Sequence, residues 1–141
     1  MKQLLAYLAI LLSGVASAAP LNIIHQNNNL EFSKTHISGF NQKAKTHPKS
    51  NTHDAFTFIV QGDPGKTIQV TASHKQQLKN NTNSLPINKF YYGCNLSSSG
   101  IATITKTGFS NPLCIGAQVL INYNHPPGVY TNEIHFEVKY L

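Results

Sequence analysis

Apolar and polar residues alternate without a break near the end of the chain. Ile134, Phe136, Val138 and Tyr140 share one face, and Glu133, His135, Glu137 and Lys139 the other. A period of two sets one face of a strand on a core and the other in water. Shorter runs of the same kind fill the middle of the chain. AFTFIV (55–60) is a compact apolar run, and KTIQVTAS (66–73) alternates Ile68, Val70 and Ala72. Between them QGDPGK holds Asp63-Pro64-Gly65, where Pro64 presets φ and Gly65 tolerates a positive φ, so the spacing predicts a β-hairpin of 55–60 with 66–73. LPINKFYYGCNL (85–96), IATITKT (101–107) and IGAQVLINY (115–123) read as further strands, separated by SSSG (97–100) and by the loop GFSNPL (108–113), with a turn at NHPPG (124–128). Towards the start, LNIIHQ (21–26) and LEFSKTHIS (30–38) read as strands broken by Asn27–Asn29, whereas 39–53 is polar and reads as a loop or a poorly ordered edge, and 74–84 is polar and reads as a loop. Helical periodicity is almost absent. Seven or eight short antiparallel strands predict an all-β, immunoglobulin-like β-sandwich. The last strand has no assigned neighbour on one side. An incomplete sheet edge is one expectation; the alternative is that residues 19–26 pair there and close the fold.

Residues 1–18 stand apart from this pattern. Lys2, the apolar run Leu4 to Leu12 and the small residues Ala16-Ser17-Ala18 form a signal peptide cut after Ala18, and the apolar run is too short to span a membrane. The remaining residues, 19–141, suit one β-sandwich domain that is exported to the periplasm, cell surface or medium, with no membrane insertion. Its two cysteines, Cys94 and Cys114, are expected to form a disulfide, since an exported chain with an even count reads that way.

Charge adds little. The chain has eleven Lys, no Arg and five acidic residues. The lysines are scattered apart from Lys43, Lys45 and Lys49, which read as a solvated loop, so no nucleic-acid partner is expected; the positive net charge leaves room for weak attraction to anionic cell surfaces. The seven histidines (His25, His36, His47, His53, His74, His125, His135) lack metal-ligand spacing, and no metal or other cofactor is expected. Asp54 and Asp63 are the only aspartates, no G-x-S-x-G occurs, and Glu133 and Glu137 lie about 13 Å apart on a strand, too far for a catalytic pair. The reading is therefore of a protein that is not an enzyme. Phe90, Tyr91 and Tyr92 form an aromatic cluster whose rings are expected to pack on the core and the disulfide rather than to form a sugar platform.

FIVQGDPGKTIQVTAS (58–73), IGAQVLINYNHPPGVYTNEIHFEVKY (115–140) and APLNIIHQNNNLEFSKTHIS (19–38) resemble an uncharacterised family of secreted bacterial β-domains with a central G-x-P-G turn and a G-x-Y segment before an alternating strand ending in Tyr. Ser33, Asn132 and the cysteine pair depart from that pattern. More distantly, the terminus with its penultimate Tyr140 resembles chaperone–usher fimbrial subunits, or pilins. That resemblance implies assembly by β-strand addition, with a periplasmic chaperone and neighbouring subunits as partners. Ile134, Phe136, Val138 and Tyr140 would line the partner-strand groove, and Leu21 and Ile23 would belong to the donor or to the domain's own first strand. The alternative is a monomeric secreted domain that recognises a host-surface glycan or protein through its loops.

Overall fold

The computed structural model describes residues 17–27, 30–32, 42–48 and 55–141. The expected signal peptide lies almost wholly outside these residues, as do His36, Lys49, His53, Asp54 and most of the strand expected at 30–38. Residues 30–32 carry no strand. The described chain is all-β, with nine strands: β1 (Asn22–Asn27), β2 (Gln42–Lys45), β3 (Phe56–Gln61), β4 (Thr67–Ala72), β5 (Gln77–Asn80), β6 (Asn83–Cys94), β7 (Ile101–Thr103), β8 (Leu113–Ile121) and β9 (Phe136–Tyr140). They form two antiparallel sheets, consistent with a β-sandwich. The larger runs β1-β3-β8-β6-β5, with β2 also paired to β8, and the smaller runs β7-β4-β9.

The hairpin expected across Asp63-Pro64-Gly65 does not form. The turn itself is present: Lys66 N–H donates to Asp63 O at 3.3 Å, and Gly65 has φ +78°. It carries the chain from one sheet to the other, so β3 pairs with β1 and β8 while β4 pairs with β7 and β9. Burial explains the choice. Phe58 and Val60 on β3 and Ile68 and Val70 on β4 are all buried, and they face one another across one core with Leu113, Ile115 and Ile104. A flat hairpin would leave those four side chains in one layer with no opposing sheet to cover them.

Two polar stretches contain strands: 74–84, expected as a loop, and 39–53, expected as a loop or a poorly ordered edge. Residues 77–80 pair with 83–86 through a two-residue turn, where Asn81 takes φ +53°, a conformation Asn tolerates better than most residues. Gln42–Lys45 pairs with the end of β8 and buries only Ala44. Short, lysine-bearing strands of this kind are typical of sheet edges, which explains why hydrophobic periodicity did not reveal them. β8 is the opposite case. Seven of its nine residues are buried, because its inner face carries Ile115, Ala117 and Val119 while its outer face is covered too.

The cover is the segment Thr46–Pro48. Thr46 N–H donates to Ala117 O at 2.9 Å, and Thr46 Oγ1 accepts from Ala117 N–H at 2.8 Å. A Cβ on Gly116 would sit 2.6 Å from Thr46 O, so glycine is what permits this close approach. Beside it, Cys94 and Cys114 form the expected disulfide. Such a bond belongs to an oxidising environment rather than to the cytosol.

Candidate functional site

On one side of the sandwich, no strand among the described residues pairs with the outer edge of β9. Residues 108–110 prolong β8 along β3: Ser110 N–H donates to Val60 O (2.8 Å) and Gly62 N–H to Gly108 O (2.9 Å). Ile104, just beyond β7, bridges Ser110, so β7 lies on the β8 side of the molecule. β9 is the far edge of the small sheet and β1 the far edge of the large one, so both bound the opposite side. Leu141 N–H donates to Thr67 O and His135 O accepts from Ser73 N–H. Backbone direction alternates along a strand, so the odd-numbered residues turn their polar groups to β4. The N–H and C=O groups of Phe136, Val138 and Tyr140 therefore point away from β4, to the outer edge of β9.

The structure divides the residues expected to line a groove. Val138 and Tyr140 pack against the main core, as does Phe136, whose ring stacks on Phe56 (6.2 Å) and meets Phe90 edge-on (5.6 Å). Ile134 precedes β9 and packs against a second, smaller core around Ile87, Ala117 and Val119. Ile134 and Phe136 also line a cleft of about 1180 Å3 with Phe56, Leu78, Leu85 and Val119. Its roof is the crossing segment 126–135, laced to β5 by Lys79–Thr131 backbone bonds and by Asn132 Nδ2 to Gln77 O (2.7 Å).

Residues 19–26 do not pair with the last strand, which corrects the expectation that they might close the fold there. β1 lies along β3, with Ile23 opposite Val60 and Ile24 opposite Ile59. Ile23 and Ile24 point to opposite faces, yet both are exposed (46% and 38%), so β1 is held largely by its backbone. Leu21 packs on the core. The two edges meet at a single phenol. Tyr140 Oη donates to Ala19 O at 2.8 Å and accepts from Asp63 N–H at 2.9 Å, while Ala19 N–H donates to Asp63 Oδ2 at 3.0 Å. A Cβ on Gly62 would lie 2.6 Å from that hydroxyl.

The aromatic cluster splits by parity. A bulge between Ile87 and Lys89 lets Leu85 and Ile87 point inward before it and Phe90 and Tyr92 after it. Tyr91 is left on the outer face, opposite Gly116. The described histidine side chains serve structure or stand at the surface: His125 Nδ1 accepts from Asn122 N–H (2.7 Å), which leaves Nε2–H to donate to Ser84 O (3.0 Å), and His74 and His135 are exposed. Among the described residues no group of three or more His, Cys, Asp or Glu could hold a metal, and no helix is long and apolar enough to cross a membrane.

The model of a domain family of unknown function, DUF4402, matches residues 23–140. The chain belongs to this family. The match runs from within β1 to the last residue of β9, and so spans the side bounded by these two strands, the cleft and the disulfide. No curated protein and no solved structure matches the chain.

Proposed function

We propose that this DUF4402 protein is an exported, non-enzymatic surface subunit that assembles by β-strand addition on the side bounded by β1 and β9. The observation that carries the reading is the outer edge of β9, which pairs with no strand among the described residues. Phe136, Val138 and Tyr140 direct their side chains to the core and their backbone groups outward. An added strand would gain main-chain hydrogen bonds along β9, and its alternate side chains would enter the sandwich beside the same core. A periplasmic chaperone would supply that strand first. The N-terminal segment of a neighbouring copy, residues 19–27, would supply it in the assembled polymer.

The state of β1 supports its role as the exchanging segment. Releasing it from β3 frees backbone bonds that a neighbour can remake, and it uncovers little core because Ile23 and Ile24 are already exposed. The disulfide agrees with an extracytoplasmic location. The test is a denaturing gel of material sheared from the producing cell, unheated and boiled, probed for this protein. A ladder that collapses on boiling is the expected result. A monomer band in both lanes overturns the reading.

A further inference from the structure

The outer face of the large sheet carries a second feature, remote from the outer edge of β9. Lys45 on β2 and Lys89 on β6 are both register partners of Gln118 on β8, so the three residues form one row across three strands. The ammonium groups converge on Tyr91: Lys45 Nζ lies 4.1 Å and Lys89 Nζ 5.0 Å from its ring centroid. Tyr91 Oη donates to Gln118 Oε1 (3.2 Å), and Gln118 Nε2 donates to Asn88 Oδ1 (3.1 Å). Gln118 is only 9% exposed, so this amide is a fixed floor rather than a mobile surface group. Lys43, two residues before Lys45, shares its face.

Two ammonium groups on one tyrosine ring concentrate positive charge that an anion would offset. None of the chain's five acidic residues lies on β2, β6 or β8. The bulge at Asn88 and Lys89 builds the constellation: two residues of β6 there oppose Gln118, so Asn88 and Lys89 both reach the row that Tyr91 continues.

We propose that this face binds an acidic saccharide. The paired ammonium groups receive the acid group as point charges, without the planar fork that arginine would bring. Tyr91 offers an aromatic edge to the sugar ring, and the Asn88 and Gln118 amides offer hydrogen bonds to its hydroxyls. The patch is one sugar or two across, too short for the run of phosphates that a nucleic-acid strand presents. The site does not depend on strand addition and would operate in a monomer or along a polymer.

The experiment titrates chain 19–141 with a galacturonate oligomer, a heparin tetrasaccharide, neutral maltohexaose and an oligothymidylate, following the Gln118 side-chain amide by NMR. An acidic saccharide should shift that amide and maltohexaose should not. The double variant Lys45→Gln/Lys89→Gln should weaken binding at least about tenfold. Lys66→Gln/Lys106→Gln, which removes the same charge elsewhere, should change it less than about twofold. Thermal melts of both variants should match the parent, since all four side chains are at the surface. The proposal is overturned if neither acidic saccharide binds, if both double variants weaken binding equally, or if oligothymidylate binds as well as the saccharides and loses as much in the first variant.

Discussion

Tyr140 Oη joins three segments that are far apart in sequence: the stretch before β1 at Ala19, the turn at Asp63 and the last strand. Replacing Tyr140 by Phe keeps the ring in the core and removes both bonds. Urea unfolding of Tyr140→Phe should show a loss of about 1 kcal/mol. The Ala19 and β1 amides should exchange faster in the same variant while β8 is unchanged, because the hydroxyl acts on the edge and not on the centre. Gly116 makes a different demand. A methyl there meets Thr46 O, so Gly116→Ala must push the Thr46–Pro48 segment away from β8 and expose the disulfide side. The expected loss is about 1–3 kcal/mol, as for overpacked sites generally. A Gly116→Ala protein as stable as the parent would show that the segment moves without resistance.

At the scale of elements, β1 and β8 mark the two extremes of attachment. β8 pairs with β2, β3 and β6 and is buried on both faces; among the described residues β1 pairs with β3 alone, and it exposes both isoleucines. The double variant Ile23→Ser/Ile24→Ser should therefore change stability by no more than about 0.5 kcal/mol, whereas Ile115→Ala on β8 should remove about 2–5 kcal/mol. Thermal and denaturant unfolding of the two proteins tests this contrast. The same contrast explains what could be read from the sequence. Strands with buried apolar alternation (55–60, 66–73, 115–121 and the last strand) announced themselves. β2 and β5 did not, since each offers one apolar residue among polar ones. Pairing was the harder matter. A Pro-Gly turn between two apolar runs has the same local chemistry whether the chain folds back in one sheet or crosses to another, and only the opposing core decides. The row Lys45–Gln118–Lys89 was illegible for a related reason. It needs the register of β2 on β8 and a bulge in β6, neither of which leaves a periodic trace. The cysteine pair was legible because composition alone, an even count in a chain read as exported, points to it.

For the whole molecule, the disulfide and the outer edge of β9 work in opposite directions. Cys94–Cys114 closes a separation of 20 residues and ties the end of β6 to β8. Its reduction should lower stability by roughly 3 kcal/mol in the chain-entropy view, which thermal melts with and without reductant can check. On the side between β1 and β9 the outward backbone groups of Phe136, Val138 and Tyr140 have no strand beside them among the described residues, and the proposed function makes this side the receptor for an added strand. A surface polymer joined there would present the outer face of the large sheet, with Lys45, Tyr91 and Lys89, once in every subunit.

The central claim is that a strand from another chain pairs with the outer edge of β9. Residue-resolved hydrogen exchange, comparing monomeric protein with sheared native assemblies, tests it at the backbone groups involved. The Phe136, Val138 and Tyr140 amides should exchange quickly in the monomer and become protected in the assemblies, while the Glu137 and Lys139 amides, which face β4, stay protected in both. Equal exchange of Phe136, Val138 and Tyr140 in the two samples would mean that no strand is added at β9, and would contradict the account.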